Sequence, residues 1–380
     1  MGLERSAPVI LGLIADNAWV DAVARMGVVG VLVPVGVIVL TWVERKVVGR
    51  LQGRLGPMRV GPYGILQGVA DTIKLIAKED VRPQTADRWT FELAPFVIVV
   101  PVFMALVSLP FTADLFVKNL SLGLFYIMAV SGVSIVGFVM AGWGSDNKYA
   151  LLGGIRAAAQ LISYEIPLVM AVLAVAMLSQ SLNLDVIVAG QDDVPNIAYQ
   201  PLGFMIFGIA GLAELYRQPF DIPVAESEVV GGPFVEYSGI RWSMFQMGEF
   251  VNMVLISVLG SLLFLGGWNW PLGNEAGAAL QVPLILVKTS AFILMFMWVR
   301  GSLPRLRIDQ MMAFCWQILL PFAFLQIIIN GWVLVYDWPD AVMGALSGLA
   351  TVAAIYLTYR GARQAAVPVS PRLHRVGSAF

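Results

Sequence analysis

Long apolar stretches recur along this chain at short intervals, and the polar residues between them gather in compact loops. A helix of about 20 apolar residues, rising 1.5 Å per residue, matches a hydrocarbon core of roughly 30 Å. Hydropathy and turn signals together predict spans near 27–43, 93–111, 121–142, 160–180, 201–217, 243–266, 283–300, 314–335 and 340–358. The expected fold is all-α, a polytopic membrane protein of eight core transmembrane helices plus a ninth C-terminal one. Residues 1–380 then form a single integral membrane domain. Within it, 44–92 is an inner loop, 93–217 carries spans two to five, 218–242 is a second inner loop, 243–358 carries spans six to nine, and 359–380 is a basic tail.

One apolar segment has the wrong pattern for a span. In residues 64–80, Ile65, Val69, Ile73 and Ile76 recur at helical spacing on one side, while Gln67, Asp71, Lys74 and Lys78 line the other. That is the pattern of an interfacial amphipathic helix following the first span, and most such helices are simple membrane anchors.

Charge sets the orientation. With the N-terminus outside, only Arg5, Arg25 and Lys118 among the 24 Lys and Arg residues lie outside, and Lys288 falls within a span. The rest lie on the cytoplasmic side, whereas the outer segments carry Asp114, Asp185, Asp192, Asp193, Glu275, Asp337 and Asp340. This positive-inside pattern also supports the ninth span, because it brings Arg360, Arg363, Arg372 and Arg375 inside. No short apolar core with a small-residue cleavage site opens the chain, so no cleaved signal peptide is expected.

Only 13% of residues are charged, against the roughly 25% usual in soluble domains, so lipid is the solvent for most of the chain. Cys315 is the one cysteine and His374 the one histidine. Iron–sulfur clusters, membrane haems and zinc sites each need more thiolate or imidazole ligands than that. No covalently bound or metal-ligated cofactor is therefore expected, and electrons for any redox reaction must come from a partner.

Ionised groups at mid-membrane cost roughly 2.5–3.5 kcal/mol on insertion scales, so they usually face protein or water. Glu165, Glu214 and Glu249 fall at similar inner depth on spans four, five and six, and Lys288 on span seven. A single such charge is as readily a structural pair as a functional group. Three carboxylates on neighbouring spans suit a chain of protonatable groups. The inner loop after span five adds Arg217, Asp221, Glu226, Glu228 and Glu236, with Pro219 and Pro223 preventing a continuous helix. A solvated loop is the ordinary explanation of such a run. The interleaved Phe220, Phe234 and Tyr237 argue instead for a packed loop with buried charge. In the first inner loop, Glu44, Arg45 and Lys46 are ordinary stop-transfer residues, but Gly56-Pro57 and Gly61-Pro62 imply a fixed path suited to docking a partner.

At these residues the chain resembles the membrane subunit of respiratory complex I that is called subunit 1 in mitochondria and the H subunit in bacteria. The stretches that carry the resemblance are VERKVVGRLQGRLGPMRVGPYGILQGVADTIKLIAKED (43–80), RAAAQLISYEIP (156–167), AELYRQPFDIPVAESEVVGGPFVEYSG (213–239), MGEFVN (247–252) and VRGSLPRLRIDQMM (299–312). The resemblance implies a subunit of a proton-translocating NADH:quinone oxidoreductase in the bacterial inner membrane, multi-pass, with a cytoplasmic C-terminus. It implies ubiquinone or menaquinone as substrate, reduced by a partner's iron–sulfur cluster, and no complete active site in this chain alone.

The resemblance further implies a quinone tunnel opening between the first span, the interfacial helix and the sixth span. Arg45, Lys46, Asp71 and Lys74 would lie at its mouth or wall, with Arg217, Asp221, Glu226, Glu228 and Glu236 in an acidic loop below the headgroup pocket. Glu165, Glu214 and Glu249 would form the proton relay. Implied partners are hydrophilic quinone-module subunits, small and antiporter-like membrane subunits, quinone and lipid, with no nucleic acid. The family commonly reads D-x-P-E-A-E-x-E in the acidic loop; here Val224 replaces the first glutamate after the proline. A related anchor of an energy-converting hydrogenase is the nearest alternative. A secondary transporter would show repeated halves with helices broken at midplane, and no repeat is present.

Overall fold

The computed structural model describes residues 18–112, 116–270 and 277–365; the side chains of 18–25, 29, 226, 227, 278, 279 and 361–365 are not described. Asp114, Glu275, His374, the N-terminal segment before 18 and the tail beyond 365 therefore lie outside the described residues.

The described residues fold into helices with no strand. The first span is α1 (Ala18–Leu51), longer at both ends than the expected 27–43. The interfacial helix is α2 (Gln67–Ala77), shorter than the expected 64–80 because Pro62–Gly64 forms a separate 3-10 turn before it. Span two is α3 (Arg88–Leu106), and span three is α4 (Gly123–Gly132) followed by α5 (Ser134–Gly144), with a one-residue interruption at Val133. Span four is α6 (Lys148–Ser179), beginning twelve residues before the expected 160. Its polar first turns, with Lys148 and Arg156, look unlike a span in sequence; they remain helical because they pack against the second inner loop.

Span five is α7 (Pro201–Glu214), ending before the expected 217 because Tyr216 takes the left-handed conformation (φ +51°) and the chain turns away. Its 14 residues span about 21 Å, short of the hydrocarbon thickness. Span six is α8 (Gly239–Phe264) and span seven is α9 (Ala278–Ser302). Span eight combines α10 (Ile308–Phe314), a π-turn at Cys315–Leu319 and α11 (Leu320–Val335). The ninth is α12 (Asp340–Ala365). Among the described residues eight helices are long and apolar enough to cross a membrane, the ninth span included; α7 is the apolar helix that falls short.

Span two packs on spans three and six, span four on three, five and eight, and span six on one, seven and α2. The ninth span docks on five and eight through buried polar groups. Ser347 donates to Gln326 (2.8 Å) and accepts from the Leu202 amide (3.1 Å), while Gln326 donates to Asn330 (2.7 Å), which donates to the Ala174 carbonyl of span four (2.8 Å). Such bonds average only about 0.6 kcal/mol each in membrane proteins, so their contribution is the register of the packed helices more than its strength.

Candidate functional site

Helices α1, α2, α8 and α9 enclose a cavity of about 390 Å³. Its wall takes Val37, Ile38 and Thr41 from α1, Gly68, Asp71, Thr72 and Leu75 from α2, Trp242, Gln246, Met247 and Phe250 from α8, and Arg300 from α9. The two helices α1 and α2 meet closely because Gly68 has no side chain: a Cβ there would stand 2.7 Å from Ile38 Cγ2 and 3.1 Å from its carbonyl oxygen. The apolar face of α2, Val69, Ile73 and Ile76, is exposed together with Ile65 just before the helix, as a bilayer-facing surface would be.

Charge is concentrated at one end of this cavity. Arg45 lines it and donates to Asp71 at 2.6 Å. Glu44, also lining it, is buried and pairs with Arg300 and, at 2.7 Å, with Arg217. Arg217, only 4% exposed, reaches Glu249 with its other edge at 2.8 Å and lies over the Phe250 ring, 4.9 Å from its centre. One guanidinium thus joins an acid of the cavity wall to an acid of the expected relay. The four charges sum to zero, which is what burial of ions requires.

Beyond Arg217 lies a second, smaller cavity of about 30 Å³, lined by Glu214, Glu249, Tyr216, Asn252 and Ser134 among others. That exceeds the ~10–15 Å³ a water molecule needs, and the lining supplies several polar partners. Glu214, the last residue of α7, lines this cavity together with Asn252. Glu165 sits midway along α6. Its Oε1 occupies the space where a Cβ on Gly132 would fall, 2.7 Å away, beside the interruption in span three. Glu249 lies ten residues into α8, about 15 Å along it. Glu214 and Glu249 therefore share one cavity wall, with Arg217 paired to Glu249, while Glu165 stands against Gly132.

The other expected site residues are not all drawn in. Lys46 turns to Met58 and Trp42, and Lys74 is exposed; neither lines the cavity. In the acidic loop, Asp221 is half-buried. Glu228 instead pairs with Arg156 (2.7 Å) and Arg305 (3.1 Å), and Glu236 accepts from Asn147 (2.6 Å). The Glu226 side chain is not described, and Val224 is half-buried. The loop is packed, as its aromatic residues suggested: Phe220, Ile222, Ala225 and Tyr237 are buried, and Gln160 of α6 donates to the carbonyls of Ala213 (2.7 Å) and Phe220 (2.8 Å). Tyr237 stacks on Phe91 at 4.1 Å and donates to its carbonyl, and burial pushes its phenol above the usual range.

Lys288 resolves as a structural charge. Its ammonium donates to the carbonyls of Leu265 (2.6 Å) and Asn269 (2.7 Å), just past the end of α8. Sequence reading missed Glu44 and Arg300 as site residues. Each sits at the end of a span beside a polar loop, where a charge is explained by topology alone, and only the fold brings them together. Among the described residues no cluster of three or more His, Cys, Asp or Glu side chains could hold a metal.

Residues 24–331 match the family model described as NADH dehydrogenase. The chain belongs to that family. Its relatives include the H subunit of NADH-quinone oxidoreductase from Brevibacillus brevis, 48% identical over 294 residues, covering 77% of this chain and 87% of the relative. The corresponding H subunit of Anoxybacillus flavithermus is 51% identical over 294 residues, covering 76% and 87%. That of Dehalococcoides mccartyi is 42% identical over 334 residues, covering 88% and 92%. As a member of this family the chain is a multi-pass membrane protein, and the resemblance read from its motifs is borne out. The family match ends before the ninth span, which begins at Asp340.

Proposed function

We propose that this chain is the quinone-access and coupling subunit of an NADH:quinone oxidoreductase in a bacterial cytoplasmic membrane, with the acidic loop and the C-terminal tail on the cytoplasmic side. It acts within an enzyme but holds no complete active site of its own. Ubiquinone or menaquinone enters from the bilayer through the cavity between α1, α2 and α8, and its headgroup is reduced by electrons from a partner's iron–sulfur cluster. The observation that carries this reading is Arg217, paired with cavity-lining Glu44 on one side and with Glu249 on the other.

The chemistry follows from that bridge. Reduction of a quinone changes the charge in the cavity and draws protons. A change of field at Glu44 alters how strongly Arg217 is held there, and so how strongly it holds the charge on Glu249. Proton occupancy then shifts among Glu249, Glu214 and Glu165, of which the first two line one small cavity. Arg45, Asp71 and the basic loop around them guide the headgroup.

The test is Glu214→Gln, which keeps the shape and loses the proton site. The complex is expected to assemble on a native gel and to oxidise NADH normally with an artificial acceptor, since those electrons leave upstream. Quinone reduction and proton pumping are expected to fall together. An assembled Glu214→Gln, Glu165→Gln double variant that pumps at the full rate would falsify the relay.

A further inference from the structure

The ninth span creates a second apolar cavity, away from the quinone path. It holds about 220 Å³ between α7, span eight and α12, and its walls include Met205, Ile209, Phe314, Ile318, Phe322 and Ile355, with Thr358 as its polar member. The π-turn of span eight, Cys315–Leu319, contributes Ile318 and Leu319 to its lining. A π-turn fits one extra residue into a helical turn and displaces the flanking side chains, and such turns are frequent at functional sites.

The dimensions select the occupant. A transmembrane helix is ~10–12 Å across with its side chains, far too wide for this space. A drug-sized ligand fills roughly 300–1,000 Å³. From Phe314 to Phe322 the cavity follows eight residues of span eight, about 12 Å, which is close to one leaflet of a bilayer core of roughly 30 Å. A single acyl chain has that length and chemistry. The cavity lies toward the membrane face that bears the acidic loop, because α7 ends there, span eight begins there and α12 finishes there.

Charge at that end decides the headgroup. Arg307 stands exposed immediately before span eight, and Arg360 is exposed two residues past Thr358; Asp309 is the acid beside them. The sequence places Arg363 in the next turn of α12. We propose that this cavity seats one acyl chain of an anionic phospholipid, whose headgroup phosphate is held by the arginines at the inner ends of spans eight and nine. The lipid fills the seam by which the ninth span, outside the family match, is joined to the core.

The experiment uses the intact complex in nanodiscs containing phosphatidylglycerol or phosphatidylcholine with the same tail, which bears a diazirine. After illumination the labelled peptides are mapped by mass spectrometry. Labelling is expected on the stretches containing Ile318, Phe322 and Ile355, with phosphatidylglycerol about fivefold stronger than phosphatidylcholine, the ratio one basic side chain confers near a surface. Arg360→Gln should bring the two lipids toward parity. Ala354→Phe, which fills the cavity from a buried position of α12, should remove the labelling while leaving any at Phe96 and Val100, exposed on the surface of α3, unchanged. Should that variant fail to assemble, the comparison of the two lipids on the unaltered complex decides alone. Equal labelling by both lipids, labelling confined to another subunit, or labelling that persists in assembled Ala354→Phe overturns the proposal.

Discussion

Replacing Arg217 with Met removes a guanidinium that is 4% exposed and pairs with two acids, while keeping a long apolar side chain over the Phe250 ring. Removing one partner of a buried ion pair costs about 3–5 kcal/mol, because a charge is left without compensation. Here Glu44 keeps Arg300, so the loss falls on Glu249, whose side chain is 25% exposed. The expected cost is therefore at the low end, about 3 kcal/mol. At about 1.4 kcal/mol per tenfold, that is more than a hundredfold faster loss of the intact complex on heating in mild detergent, followed by native gel. The double variant Arg217→Met, Glu249→Gln removes the stranded charge as well, and should recover about 2 kcal/mol of the loss. Both variants should lack quinone-linked pumping, so stability and function separate in the double variant. A single variant less than tenfold destabilised, or a double variant no more stable than the single, would show that Arg217 does not compensate Glu249.

The remaining predictions concern the cavity, the topology and Lys288. Thr72→Trp, on the cavity wall, should raise the apparent KM for a long-tailed quinone several-fold more than for a short-tailed analogue, while Val69→Trp, on the outward face of α2, changes neither; equal shifts for both quinones in Thr72→Trp would reduce α2 to an anchor. In a Cys315→Ala background, cysteines at the exposed positions Arg54, Val230 and Leu303 should react only with reagent added from the cytoplasmic side, and outside labelling at any of them would reverse the proposed orientation there. Lys288→Met leaves two carbonyls past the end of α8 without their donor, at a cost of about 2 kcal/mol in thermal stability. Its quinone-linked rate per intact complex should be unchanged; a lost rate at full stability would give Lys288 a role in coupling.

What the sequence alone determined was everything that depends on local chemistry and on the bilayer as solvent. Apolar windows locate the spans because unpaired backbone and charge are both costly in lipid. The alternation along 64–80 identifies an interfacial helix, although Pro62 and Gly64 trim its start to Gln67. The aromatic residues among the acids of 218–242 correctly signal a packed loop, since side chains such as Phe220 and Tyr237 are seldom left in water. The boundaries of spans four and five escaped that reading, because they follow from packing rather than hydropathy: α6 extends where the second inner loop covers it, and α7 stops where Tyr216 turns.

Only the tertiary structure decided which charges act together. Arg217 is separated from Glu44 by 173 residues, and nothing local distinguishes Glu44 from its neighbours in a stop-transfer run. Burial of both, with Arg300 and Glu249 closing the group, is a property of three helices meeting the loop after α7. The same meeting leaves Lys46 and Lys74 outside the cavity and turns Lys288 into a helix cap, although in sequence they carry the same signal. A charge in a sequence states only a cost; the partner that offsets it lies on another helix, and the fold alone supplies it.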